Sequence, residues 1–152
     1  MSRTISAIML VAAAGLLTAA VQKRRADADD LIAARQAAMA LSGATFGGMK
    51  AAIDGGGDVT KLGFSARALA AWGHALPGLF PAGSDGGTTK ALPSVWSDRA
   101  GFEKAAANYE AAARTLGDLA KAGDKPGIAA QWAVVRGTCS ACHDGYRQPD
   151  RK

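Results

Sequence analysis

From residue 29 onward the apolar side chains fall into stripes of three-four spacing, the pattern of helices that bury one face. In the first stripe Ile32, Met39, Phe46 and Ile53 recur every seven residues, with Arg35, Ser42 and Met49 at the intervening seam positions. This predicts a helix over about residues 29–54, closed by Gly55, Gly56 and Gly57. A second stripe, Val59, Leu62, Ala66, Leu69, Gly73 and Leu76, runs until Pro77 stops it. Residues 77–93, with three prolines and several glycines, are predicted as a long loop. The third helix is expected to open near Ser94 or Ser97 as N-cap and sets Phe102, Tyr109 and Leu116 seven apart. The fourth follows Gly123, Asp124, Lys125 and Pro126 and aligns Ile128, Trp132, Val135, Cys139, Cys142 and Tyr146.

Four amphipathic helices with short connections at two of three joints predict an all-α fold, an antiparallel up-down-up-down four-helix bundle. Residues 29–152 have the usual size of a single core. The chain is 49% hydrophobic but only 6% aromatic, and alanine supplies much of the apolar count. Such a core favours closely packed helices and is thin unless something else fills it.

Residues 4–21 form an apolar run behind Arg3 and end in small residues, the pattern of a secretory signal cleaved after Ala20 or Ala28. As a helix the run would extend about 27 Å, at the short end for a membrane span. Residues 1–28 are therefore read as a signal peptide, with an uncleaved membrane anchor as the alternative. Lys23, Arg24 and Arg25 directly after the run oppose export under the positive-inside tendency. The net charge of +5 belongs largely to this segment, because residues 29–152 carry 14 basic against 12 acidic groups. No basic run with interleaved aromatics remains, so nucleic acid is not a partner.

The candidate chemistry lies near the C-terminus, in Cys139, Ser140, Ala141, Cys142 and His143. Two thiols at this spacing followed at once by histidine read as a c-type haem attachment site, each thiol adding to a haem vinyl while His143 ligates the iron. On a helix, positions 139, 142, 143 and 146 share a face. A disulfide would close only a tiny loop and leave His143 unexplained. A thioredoxin-like pair needs a βαβ pattern, which is absent, and a zinc site lacks a fourth ligand, His74 being the other histidine. The expected cofactor is one covalent haem c. Attachment of this kind occurs outside the bacterial inner membrane, so the domain is expected in the periplasm. The alternative is an inner-membrane-anchored domain facing the periplasm.

Arg35 and Met39 lie one turn apart on the inward face of the first helix. An arginine in a core seam calls for an anionic partner, and a haem carboxylate is one with suitable charge and geometry; the alternative is a rim arginine with its head in solvent. Met39 is either a distal iron ligand or packing. Trp132, two turns before Cys139 on the same stripe, is a candidate for contact with the haem edge. His74 falls beside the second stripe and reads as a partly exposed side chain, with iron ligation as the weaker alternative. Glu103, Lys104, Glu110 and Arg114 read as a solvated face.

With these residues in hand, the chain resembles the class II cytochromes c, the four-helix family that includes cytochrome c-prime and its low-spin, methionine-ligated relatives. The resemblance rests on the run from Cys139 to Arg147, on Arg35, Gln36, Ala37, Ala38 and Met39, and on Leu79, Phe80 and Pro81 leading to Pro93, Ser94, Val95 and Trp96. It implies that His143 is the proximal ligand, Cys139 and Cys142 the thioether residues, Arg35 a neighbour of a haem propionate, and Arg147 a basic residue one turn after the proximal histidine. It sets Met39 at the position facing the open side of the iron, a ligand in some members and a pocket wall in others.

Two functions follow as expectations. With His143 and Met39 both on iron, the protein is a one-electron carrier; with His143 alone, it resembles cytochrome c-prime and binds nitric oxide or carbon monoxide. A haem subunit of a membrane respiratory complex is a third reading, tied to a retained anchor. No nucleophile and base come together in the sequence, so the protein is not expected to be an enzyme. The expected partners are redox proteins of a respiratory or photosynthetic chain and, from the family's habit of pairing through the first two helices, a second copy in a homodimer. A membrane is a partner only if the N-terminal segment is retained.

Overall fold

The computed structural model describes residues 2–149, with side chains from residue 21 onward. Its helices are α1 (Ser2–Asp54), α2 (Gly63–Ala75), α3 (Ser94–Ser97), α4 (Arg99–Ala122) and α5 (Lys125–Tyr146), and short 3-10 turns cover Val59–Leu62 and Leu76–Leu79. The four long helices form the up-down-up-down bundle, and α3 is a single turn leading into α4.

The stripes are buried as their spacing requires. Ile32, Met49, Leu69, Leu116, Ile128 and Val135 are almost wholly removed from solvent. One core cluster gathers Met49, Leu69, Tyr109, Leu116, Ile128 and Val135, and a second gathers Leu76, Phe80, Val95, Phe102 and Ala106. Gly73 sets the approach of α2 to α4: a Cβ there would stand 2.7 Å from Cδ1 of Tyr109 and 3.1 Å from the Glu110 backbone. The α2–α4 and α4–α5 packings are extensive, whereas α1 meets α2 and α5 only sparsely. The bundle is therefore open along α1.

Three boundaries differ from the sequence expectation. The first helix does not begin near residue 29; α1 is unbroken from Ser2, since residues 20–34 hold no glycine or proline to stop it. The cap of the third helix is neither Ser94 nor Ser97. Those residues bound α3, and α4 is capped by Asp98, whose carboxylate accepts the Gly101 N–H at 3.2 Å. The first residues of the predicted loop, 77–79, are helical, in the turn Leu76–Leu79. The fourth helix opens as expected, with Asp124 accepting from the Gly127 N–H at 2.9 Å, and α4 ends on Gly123 at φ 70°, a left-handed cap.

The signal or anchor reading of residues 1–28 rests mainly on side chains of residues 1–20, outside those described. Among the described residues no helix is long and apolar enough to cross a membrane.

Candidate cofactor site

Where α1 stands away from the rest of the bundle there is a cavity of about 860 Å³. Seven of the residues singled out in the sequence line it: Arg35 and Met39 from α1, Trp132, Cys139, Cys142 and His143 from α5, and Arg147 just beyond. His74 does not; it lies on the outer surface with Nδ1 3.2 Å from Glu110. On the expected solvated face Arg99 pairs with Glu103 in the open, whereas Glu110, its side chain only 18% exposed, is half-buried and pairs with Arg114.

Cys139 and Cys142 are both half-buried free thiols, one turn apart on the cavity wall. Burial pushes both thiols above their ordinary range, so they are protonated at neutral pH. His143 follows at once, on the more exposed side of the wall. Two thiols and an imidazole on one helix turn, beside a cavity that the protein's own side chains leave open, fit a covalently held haem.

The chain after His143 is tied down. α5 ends at Tyr146, and Arg147, extended, forms an antiparallel bridge with Ala91. Leu92 N–H donates to Tyr146 O at 3.0 Å, Gln148 N–H to Lys90 O at 2.7 Å, and the Ser94 hydroxyl to Gly145 O at 2.7 Å. The Tyr146 hydroxyl reaches Asp98 at 2.7 Å, which raises the phenol's pKa. These contacts hold the imidazole-bearing turn against the loop and the start of α4.

Arg35 is 3% exposed. Its Nη1 donates to the Ser84 hydroxyl at 3.1 Å and to Leu79 O at 3.4 Å, and its Nη2 to Ser84 O and the Thr89 hydroxyl, each at 2.9 Å. The guanidinium also lies 4.4 Å from the Phe80 ring centre and 5.9 Å from that of Trp96. Burial lowers its pKa, but a guanidinium remains charged. The alternative of a rim arginine with its head in solvent does not hold, since the guanidinium is buried among these groups. Its protein partners are neutral oxygens and aromatic faces, brought there because the glycine-rich loop folds back over α1.

Sequence reasoning missed three features here. Ser84 and Thr89 gave no periodic signal, being loop residues whose value depends on a residue about fifty positions away. Phe46 was read as core, yet it stacks on Trp132 with centroids 4.4 Å apart and planes 5° from parallel, and its carbonyl accepts the indole N–H at 3.2 Å. Tyr109 was also read only as core. It is 9% exposed and lines the cavity, and burial raises its pKa above the ordinary tyrosine value.

Comparison with known proteins agrees with this arrangement. The family model described as Cytochrome C' matches residues 30–147. Cytochrome c' of Rhodopseudomonas palustris is 36% identical over 121 residues, covering 78% of this chain and 82% of that protein. Cytochrome c' of Rubrivivax gelatinosus is 36% identical over 127 residues, covering 78% and 95%. Among solved structures, a nitric oxide complex of a variant cytochrome c prime from Alcaligenes xylosoxidans superposes with a TM-score of 0.73 at 29% identity, covering 81% of this chain and 97% of that one. A matching family model over most of the chain, relatives of this similarity and a bundle that carries the thiols and imidazole on its last helix lead to one conclusion: the chain belongs to the cytochrome c' family of haem electron carriers, whose members hold a covalent haem c.

Proposed function

We propose that this chain is a periplasmic cytochrome c' in which Cys139 and Cys142 hold the haem, His143 is the proximal ligand, and the iron face under Met39 is kept for a diatomic gas. The observation that carries this reading is the packing of Met39. Its side chain lies against the apolar cluster of Leu76, Phe80, Val95, Phe102 and Ala106, as a wall does. The nitric oxide complexes of the Alcaligenes xylosoxidans protein support it by analogy.

In this reading Cys139 and Cys142 would hold the haem through thioether bonds. His143 donates its ring nitrogen to the iron, and the bonds from Gly145, Tyr146 and Gln148 to the loop fix its turn. When bound, the haem would supply a one-electron iron couple and a place for a small ligand. Arg35 holds the loop over the cavity, and the stacked rings of Phe46 and Trp132 line its wall. The protein has no catalytic residues; it binds gas and exchanges single electrons with a redox protein. Leu41 on α1 and Phe64 on α2, 69% and 74% exposed, support a homodimer through those helices.

The second reading, Met39 as sixth ligand in a one-electron carrier, draws on the position of Met39 on the cavity wall one turn from Arg35. Absorption spectra of the ferric and ferrous protein, with and without carbon monoxide, decide between them. A high-spin ferrous spectrum that changes on adding carbon monoxide is expected. A low-spin spectrum that does not change assigns Met39 to the iron.

A further inference from the structure

The cavity walls contributed by α1, α2 and α4 are mostly apolar, with Met39, Leu76, Phe102 and Ala106 among them. Tyr109 is the exception on α4. Its side chain is nine-tenths buried and lines the same cavity as Met39 and Cys139. Among the described residues its hydroxyl has no hydrogen-bond partner, and no buried side-chain oxygen is sealed away without one, so the phenol oxygen opens onto the cavity space. A phenol in such a position ordinarily finds a partner.

The ring has little freedom to turn elsewhere. Gly73 brings the α2 backbone against it, leaving no room for even a methyl group beside Cδ1. The packing therefore fixes a hydrogen-bond donor on the cavity wall, in the neighbourhood of Cys139. His143 comes from α5, so a molecule on the other side of the iron meets the walls that the other helices provide.

We infer that the Tyr109 hydroxyl donates a hydrogen bond to a diatomic ligand on the haem iron, making Tyr109 a specificity residue that favours ligands able to accept at their outer atom. The inference rests on the gas-binding reading above. A neutral donor in an apolar pocket stabilises partial negative charge on a bound ligand, and it is stronger there than in water.

The test uses the haem-loaded ferrous protein with carbon monoxide as the probe. Tyr109→Phe keeps the ring and its packing against Gly73 and removes only the hydroxyl. The expected results are a higher C–O stretching frequency in the variant and carbon monoxide release faster by about fivefold, the size of one neutral hydrogen bond. Transfer of the unmodified protein into heavy water gives a second readout that needs no substitution: an isotope shift of the C–O stretch is expected, and it should vanish in Tyr109→Phe. An unchanged frequency in the variant, or no isotope shift, overturns the inference and leaves Tyr109 as wall, with gas binding intact. If the unmodified ferrous protein takes up no carbon monoxide, the gas-binding reading fails and this inference with it.

Discussion

Arg35 and Ser84, separated by 49 residues, are joined twice: one guanidinium nitrogen donates to the serine hydroxyl at 3.1 Å and the other to its carbonyl at 2.9 Å. The serine hydroxyl in turn donates to Pro81 O at 2.8 Å, so a single buried contact fixes both the loop's shape and its distance from α1. Arg35→Ala should lower unfolding stability by about 2–4 kcal/mol, since bonds to a buried charged donor are lost and their acceptors are left unpaired. Arg35→Lys should recover only part of this, because an ammonium cannot span Ser84 and Thr89 as a planar fork does. Urea titration of the three proteins checks the order, and equal stability of all three would show the contact to be idle.

Covalent attachment should fail stepwise. Cys139→Ala or Cys142→Ala leaves one thiol able to reach a vinyl, and the double replacement leaves none. Mass spectrometry under denaturing conditions should find haem mass on each single variant and bare polypeptide for the double. Haem retained covalently by the double variant would remove the two thiols from the site.

Met39→Ala should leave a high-spin ferrous spectrum unchanged while carbon monoxide binds faster through the space opened. Its cost in stability is about 2 kcal/mol, the low end for deleting such a side chain, because Met39 is only half-buried and borders a cavity. Stopped-flow binding measures the first effect. Conversion of a low-spin to a high-spin spectrum by the same replacement would assign Met39 to the iron.

Gly73→Ala tests the close approach of α2 and α4. The added methyl meets the Tyr109 ring and the Glu110 backbone, so despite the gain in helix propensity the variant should lose about 1–3 kcal/mol. Thermal unfolding followed by circular dichroism would show the fall, and a more stable variant would mean that the helices separate freely.

Alkaline pH should destabilise the protein through Tyr109. Burial raises its pKa in the folded state above the unfolded value, so the associated stability is fully present below about pH 10 and declines above it, where the unfolded phenol ionises first. Tyr109→Phe should flatten the stability profile above about pH 10 by up to about 1.4 kcal/mol per pH unit. A profile identical to the unmodified protein would mean that the phenol is open to solvent.

The homodimer is tested by Leu41→Glu and Phe64→Glu. Each replaces an exposed apolar side chain with a charge and should leave the monomer fold intact while reducing any assembled fraction. Sedimentation velocity at several concentrations reads this directly.

The parts of the site readable in the sequence are those set by helical period. Cys139, Cys142, His143, Met39 and Trp132 face one cavity because three-four spacing fixes a direction relative to the core. Arg35 shows where that reading stops: its inward position followed from the period, but its partners did not, since Ser84 and Thr89 belong to a loop whose path depends on tertiary packing. The stack of Phe46 on Trp132 and the free hydroxyl of Tyr109 have the same origin. Each residue was assigned to the interior, and whether an interior position faces a neighbour or a void is decided by how far α1 stands from the others. The start of α1 was misread for a local reason, because a change from apolar to charged composition at residues 21–25 is no obstacle to helix continuation.

The final turn of a helix is ordinarily where its order decays first, since its last carbonyls have no partner within the helix. Here that turn carries His143, and the backbone just beyond it is woven into the Lys90–Leu92 segment by the Ala91 bridge and the bonds to Tyr146 and Gln148. The amides of Leu92 and Gln148, which bond across the two segments, should therefore exchange with solvent only when the segments part. End fraying becomes a collective event, and the orientation of the imidazole inherits the persistence of the interior.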